Sequence, residues 1–422
     1  MTPTPTLASM PASHPRRGLT LVEMLVALAL TLLMMAAVAQ IFGMMGQGVN
    51  GSRSMAELND RMRATAHRLR QDLSGITVTP DPPVLPEVNS GYLEIIEGPE
   101  SDLMTYFSGE PFRKDRGAVD GQGKWVGNPE PYKASVGSDD RLVGDIDDVI
   151  LFTTRSTGDP FTGVASSARN THARSPFAEV IWFCRPTANT SDPRTYSLHR
   201  RQRLISAHPG VLGFSDSSPP NTLPFTNWKD LADLTDVSCR VQGSYAIPNC
   251  LGDLTRRENR FLHAVSFPHE FDPTNVELTF DRTSPRFGED ILLTNVIAFD
   301  VRVFDPQAPF QYVPSTGGAM VALAPGDSGY GGGVNGDRGA FVDLGNGLVG
   351  GSILSGPVSG ASQIINASTY CTWSTHYGQL GITPTPAPPY AQALRGLEIR
   401  LRCYEPSSKQ VRQITVRHSF PN

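Results

Sequence analysis

The chain has 422 residues and a formal net charge of −5, and charged side chains make up 18% of it. This weakly acidic balance lacks the excess of Lys and Arg expected of a nucleic-acid-binding protein, so no nucleic acid is expected as a principal partner. The 40 glycines and 35 prolines favour strands and loops over a helical bundle, and the length suffices for one large core or two small ones.

A long apolar run follows Arg16, Arg17 and Gly18, and it contains one early charge, Glu23. No charged residue occurs from position 24 to position 52, so the run can cross the roughly 30 Å hydrocarbon layer of a bilayer as a helix. A charge inside that layer costs on the order of 2.5–3.5 kcal/mol. The sequence therefore predicts that Glu23 has a function and a partner.

The coincidence of a glycine, a charge-free helix and a solitary glutamate resembles the class III signal of prepilin-type proteins, the type IV pilins and type II secretion pseudopilins. In that family a prepilin peptidase cuts after the glycine and methylates the new amino terminus, and the glutamate at the fifth mature position directs assembly. The resemblance implies cleavage after Gly18, N-methylation of Leu19 and an assembly role for Glu23. Leu19 departs from the commoner phenylalanine at the first mature position.

The implied partner of Glu23 is the Leu19 amine of a neighbouring subunit, because two buried charges compensate each other. The resemblance also implies other pilins or pseudopilins and the inner-membrane assembly platform as partners. Arg16 and Arg17 flank the run closely, so the positive-inside rule keeps residues 1–18 in the cytoplasm and exports the remainder to the periplasm. The expected location is therefore the inner membrane, with a single pass and membrane lipid around it.

Three other interpretations of the run remain open. A secretory signal peptide would use the cleavage site Ala37-Val38-Ala39, which releases a chain that starts at Gln40. A simple signal anchor would leave Glu23 without a purpose. The third is a buried helix of a soluble domain.

A second helical pattern follows the apolar run. Six apolar residues fall at steps of three and four, which predicts one buried stripe on an α-helix: Met55, Leu58, Met62, Ala66, Leu69 and Leu73. Four glycines between the two stretches are expected to loosen the helix: Gly43, Gly46, Gly48 and Gly51. Gly75 and Pro80 are expected to end it. The predicted organisation is a leader at 1–18, a transmembrane helix at 19–52, an amphipathic continuation at 53–80 and a periplasmic β domain at 81–422.

The remainder predicts strands separated by long loops. Runs rich in β-branched and aromatic residues predict strands at 148–154, 178–184, 196–200, 296–306, 397–404 and 411–416. The last three show period-two alternation, which predicts one buried face and one wet face. The fold class is therefore α+β: a pilin-like long N-terminal helix packed on an antiparallel sheet with large loop insertions.

The order of these motifs resembles the minor pseudopilin J and minor pilin W group, and more closely the large prepilin-type proteins of planctomycete-like bacteria. Three insertions depart from the shorter members, at 80–140, 207–290 and 307–390. The stretch 315–360 spaces Asp327, Asn335, Asp337 and Asp343 among glycines, which suits calcium but matches neither an EF-hand loop nor a nonapeptide repeat. A surface loop is the favoured interpretation of that stretch.

The five cysteines show no C-x-x-C spacing, so no metal site and no cofactor are predicted. Export permits disulfides, and Cys239 with Cys250 is the first candidate pair, against the alternative that all five are reduced and packed. The basic strand 199–203 is expected to be solvated, and contact with DNA by this strand and Arg61–Arg70 is a weaker hypothesis.

No catalytic residues are predicted, because the nine histidines form no metal-binding pair and no nucleophile elbow occurs. The sequence therefore predicts a non-enzymatic minor subunit of a type IV pilus or type II secretion pseudopilus. The first alternative is a membrane-anchored periplasmic binding module outside any filament. The second is a secreted enzyme with an unrecognised site.

Overall fold

The computed structural model describes residues 20–97, 144–166, 171–187, 195–206, 221–263, 286, 288–314, 318–324, 333–344, 369–379, 381, 388, 390 and 392–421. The chain divides into two compact units, residues 1–56 and residues 57–422. The predicted leader, 1–18, lies outside the described residues, as does most of the insertion 80–140.

Helix α1 is Leu21–Ser74 and runs through the glycine-containing stretch, so the predicted loosening at these glycines is not seen in the backbone. All six residues of the predicted apolar stripe are buried: Met55, Leu58, Met62, Ala66, Leu69 and Leu73. Each large side chain among them contributes about 1.5–3 kcal/mol when it leaves water. Arg61, Arg63 and Arg70 occupy the exposed faces, as the periodicity predicted.

The described residues form fifteen strands and two further short helices. The helices are α2 (Trp228–Leu234) and α3 (His376–Gln379). The strands are β1 Leu93–Ile96, β2 Val149–Arg155, β3 Phe161–Ser166, β4 Thr171–Ser175, β5 Phe177–Pro186, β6 Tyr196–Ile205, β7 Leu223–Pro224, β8 Cys239–Gln242, β9 Tyr245–Pro248, β10 Ile291–Pro314, β11 Met320–Leu323, β12 Val334–Val342, β13 Thr369–Cys371, β14 Gly396–Glu405 and β15 Gln410–Ser419.

The main sheet is antiparallel and has ten strands, in the order β13-β1-β2-β5-β6-β10-β14-β15 with β11 and β12 added to β10. All six predicted strands are present, as β2, β5, β6, β10, β14 and β15, and the α+β class is confirmed. Strand β10 is the longest at 24 residues, because its second half pairs with β11 and β12. Those two strands lie within 315–360, so the expectation of a surface loop there is wrong for the described part.

Both faces of the sheet centre are covered, since β2 and β6 are buried along almost their whole length. Helix α1 covers the face that carries Trp182. The described part of the insertion 207–290 covers the opposite face, where Trp228 and Phe261 pack with Ile181 and Phe183. An antiparallel sheet that is covered on both faces has no solvent-exposed face at its centre. Buried and exposed residues therefore alternate less regularly along its central strands.

Helix α1 is joined to the sheet through Asp72, which is buried near the end of the helix. Arg200 of β6 donates to both carboxylate oxygens, from Nε at 2.6 Å and from Nη2 at 2.9 Å. The indole Nε1 of Trp182 on β5 donates to the same carboxylate at 3.1 Å, and Thr154 of β2 donates to the Asp72 carbonyl at 2.7 Å. Three neighbouring strands therefore converge on one helical residue.

The cysteines form no disulfide with one another, so the candidate bond between Cys239 and Cys250 is wrong. Cys239 lies in β8, and its thiol donates to the Val237 carbonyl at 3.4 Å. Burial raises its pKa to about 12, so the thiol stays protonated. Cys250 follows β9, where its backbone N–H donates to Asp253.

Gly75 ends α1 where the chain passes β2, and a Cβ at this position would lie 2.2 Å from the Arg155 carbonyl oxygen. The neighbouring Arg155 N–H donates to the Gly75 carbonyl at 2.7 Å, so the two backbones have little room to separate. We expect Gly75→Ala to lower the free energy of unfolding by about 1–3 kcal/mol through overpacking. Urea unfolding of the detergent-solubilised full chain measures this change.

The matched control is Gly158→Ala, because a Cβ at Gly158 meets nothing within 4 Å. Its stability should stay within about 0.5 kcal/mol of the wild type. Equal urea midpoints for the two variants would contradict the close approach at Gly75.

Candidate functional site

The amino end of α1 is closed by a reciprocal pair of side-chain hydrogen bonds. The Glu23 carboxylate accepts from the Thr20 backbone N–H at 2.9 Å and from its hydroxyl at 3.0 Å. The Thr20 hydroxyl in turn accepts from the Glu23 N–H at 3.2 Å. This is a capping box, which satisfies backbone donors that have no partner within the helix.

The first part of α1 exposes its apolar side chains on all sides. Leu21–Met45 has a mean hydropathy of 2.5 and none of it is buried, and among the described residues it is the one helix long and apolar enough to cross a membrane. Leu25, Leu32, Met35 and Phe42 are each more than half exposed. A surface of this size needs lipid or other helices around it.

The predicted site residues are described only in part. Gly18 and Leu19 lie outside the described residues, and the pairing of Glu23 with a Leu19 amine remains a prediction. Glu23 is exposed near the start of α1, where it contacts Thr20. This contact was not predicted, although the pattern T-x-x-E at 20–23 is the sequence signature of a capping box.

The basic strand is buried, which corrects the expectation of solvated charge at 199–203. His199, Arg201 and Arg203 are each at most 3% exposed. Arg201 binds Asp290 at 2.7 Å and Asp236 at 3.4 Å, and Arg203 lies 4.3 Å from the centroid of the Phe261 ring. These cations hold the insertion on the sheet and are not available to DNA.

His199 is packed as an aromatic side chain. Its ring stacks on Phe183 at a centroid distance of 5.2 Å, and burial lowers its pKa to about 4. The ring is therefore neutral at physiological pH, which suits packing in the sheet.

A groove of about 580 Å³ lies between α1 and the neighbouring strands β6 and β10 of the main sheet. Arg61 and Arg68 line one side, and Arg286, Glu289 and Asp290 line another. Arg286 binds Asp236 at 2.9 Å and Glu289 at 2.8 Å. Both signs of charge are present, so the groove offers no uniform surface to an acidic polymer.

A fully buried charge cluster joins β1 to the insertion 207–290. Glu94 binds Arg257 and accepts from Arg260 at 2.6 Å, and His263 lies 3.2 Å from the same carboxylate. Burial alone would raise the pKa of Glu94, but Arg257, His263 and Arg260 lower it well below its ordinary value. This cluster fixes the insertion on the sheet, and no motif in the sequence marks it.

A second cluster is acidic and could hold a metal ion. One ligand oxygen each from Glu97, Asp145 and Asp148 lies within 4.8 Å of the others, and all three residues are buried. Glu97 follows β1 and Asp148 precedes β2, at the end where Ile96 pairs with Val149. Asp145 and Asp148 are three residues apart, but Glu97 precedes Asp145 by 48 positions, so the set matches no linear motif.

Comparison with known proteins gives one match. Residues 13–39 match the model of the prokaryotic N-terminal methylation motif, and this range includes Gly18, Leu19 and Glu23. No curated protein and no solved structure matched the chain.

Proposed function

Because the chain carries the N-terminal methylation signal of prepilin-type proteins, we propose that it is a non-enzymatic minor subunit of a type IV pilus or type II secretion pseudopilus. The match at 13–39 is the observation that carries this proposal. The motif implies processing by prepilin peptidase and assembly with other pilins, and it fits a membrane-anchored single-pass protein together with the helix Leu21–Met45.

In the proposed mechanism Gly18 is the residue before the cut, and Leu19 becomes the methylated amino terminus. Glu23 then leaves the capping box and pairs with the Leu19 amine of the neighbouring subunit. In this exchange the Glu23 carboxylate loses the neutral hydrogen-bond donors of Thr20 and gains a charged donor, the ammonium group. In a low-dielectric surrounding a charged donor forms the stronger hydrogen bond.

The exposed apolar surface of Leu21–Met45 supports a place in the membrane before assembly and among other helices after it. The sheet domain would then face the periplasm and contact neighbouring subunits or cargo. Its buried arginines belong to its own packing, so the proposed contacts use exposed groups such as Arg63 and Arg70 of α1.

The decisive test is intact mass and N-terminal sequencing of the protein purified from membranes of its host. We expect a chain that starts at Leu19 and carries one added methyl group. Gly18→Val should leave the chain uncut, because a branched side chain replaces the hydrogen at the cleavage site. Gly43→Val, placed deeper in the same apolar run, should be processed normally, since a Cβ there meets nothing within 4 Å.

Two results would overturn the proposal. A chain that starts at Gln40 would identify a secretory signal peptide. An uncut wild-type chain would leave a signal anchor, and a membrane-anchored periplasmic binding module would then be the better interpretation.

A further inference from the structure

We propose that Glu97, Asp145 and Asp148 bind one calcium ion, which joins the two ends of the insertion between β1 and β2. The proposal concerns the sheet domain and does not depend on the N-terminal signal. It names a site that the sequence analysis did not predict, since its own calcium candidate was the stretch 315–360.

Four chain segments meet at the cluster. Gly144 donates to the Ile297 carbonyl at 2.9 Å, and Phe299 donates to the Asp145 carbonyl at 2.7 Å. The Asp148 carboxylate accepts from the Val301 N–H at 2.6 Å. The segment that leads into β2 is therefore tied along β10, and the Asp148 carboxylate is held by a backbone hydrogen bond.

A second observation that points to a ligand is a buried carboxylate oxygen of Glu97 that accepts no hydrogen bond from the described residues. Its Oε2 accepts from the Leu344 N–H at 3.2 Å, which ties it to the residues after β12. Its Oε1 is buried and accepts no hydrogen bond from the described residues. Glu97 as a whole is 5% exposed. A buried carboxylate oxygen without a donor is unfavourable, because no hydrogen bond compensates for the water that it has lost.

The surroundings supply further negative charge. The buried carboxylates of Asp300 and Asp343 act electrostatically on Glu97. Arg302 is the nearby cation, and it binds Asp300 at 2.9 Å and Asp343 at 3.2 Å.

The geometry suits calcium. Two oxygens on opposite sides of a calcium ion, at 2.3–2.6 Å each, lie about 4.6–5.2 Å apart. The three ligand oxygens lie within 4.8 Å of one another, so one ion can reach all of them. Carboxylate oxygens are the ligands that this hard cation prefers, whereas the smaller magnesium ion demands a tighter octahedron and keeps more of its water.

The expected effect is a stabilised junction. Glu97 and Gly144 are the described residues on either side of the segment 98–143, so an ion at the cluster holds residue 97 next to residues 145 and 148. An ion that binds the folded chain and not the unfolded chain stabilises the fold by mass action.

The test uses the full chain in detergent after treatment with EGTA. Equilibrium dialysis against calcium chloride should give one bound calcium ion per chain, and calcium should raise the melting temperature more than the same concentration of magnesium. Glu97→Gln should lose both effects. Without calcium this variant should melt no lower than the wild type, because glutamine removes one acidic group from the cluster and keeps an oxygen that can accept from the Leu344 N–H.

The matched control is Asp337→Asn, which removes an exposed carboxylate in β12 within the stretch 315–360. This variant should bind calcium and gain stability like the wild type. Absence of bound calcium in the wild type would overturn the proposal. So would undiminished binding by Glu97→Gln, or loss of binding in Asp337→Asn, which would place the ion in the other stretch. If Glu97→Gln fails to fold, wild-type dialysis together with Asp145→Asn decides the question in the same way.

Discussion

Replacing Asp72 by asparagine is expected to lower the free energy of unfolding by about 3–5 kcal/mol, the cost of removing one partner of a buried ion pair. The side chain of Asp72 is 2% exposed and that of Arg200 is 8% exposed. The variant leaves the guanidinium buried without its carboxylate and weakens the bond from Trp182. Urea unfolding of the full chain in detergent measures the loss as a shift of the midpoint.

The control for this prediction is Asp60→Asn, an exposed carboxylate on the same helix. We expect it to change stability by less than about 0.5 kcal/mol. A double-mutant cycle with Arg200→Gln isolates the pair, and the double variant should be more stable than the sum of the single losses predicts. Additive losses, or equal midpoints for Asp72→Asn and Asp60→Asn, would show that the junction does not depend on this pair.

Replacing Glu23 is expected to remove the chain from filaments while its processing and membrane insertion continue. Both Glu23→Ala and Glu23→Gln should lower the amount in a sheared filament fraction at least about tenfold, since a loss of 1.4 kcal/mol already gives that factor. The reason is the unpaired Leu19 ammonium of the neighbouring subunit, which is costly in a low-dielectric surrounding. Immunoblots of filament and membrane fractions measure the ratio.

Comparison of the two variants separates assembly from capping. Glutamine keeps an oxygen that can accept from Thr20, so a residue needed only for the capping box would be rescued by Glu23→Gln. Thr20→Ala removes the cap and keeps the carboxylate, and it should assemble nearly normally. Thr31→Ala is the control for loss of a polar group in the same helix, where the hydroxyl donates to backbone carbonyls. Rescue by glutamine would assign Glu23 to helix capping alone.

The helix and the strands could be predicted because their signals are local. The apolar stripe from Met55 to Leu73 repeats with the helical period, and β14 and β15 are neighbours in sequence that pair around a turn at 406–409. Strand β10 was predicted at 296–306, but its extension to Pro314 depends on pairing with β11 and β12, which come later in the chain.

The buried charges could not be predicted in this way. Charged residues in a strand are usually solvated, so the cluster 199–203 indicated an exposed strand. It is buried because Asp72, Asp236 and Asp290 come to it from three distant segments. An ion pair between residues separated by 128 positions leaves no pattern in either local sequence.

The sequence by itself determined the match to the N-terminal methylation motif, because that motif is a linear pattern. Gly18, Leu19, Glu23 and the apolar run belong to it through their order and spacing along one chain. Only the tertiary structure decided the second layer on the sheet, the coupling of Asp72 to Arg200 and the meeting of Glu97 with Asp145 and Asp148. These features require parts of the chain that approach each other only after the sheet has formed, and their energies depend on burial that no single segment creates.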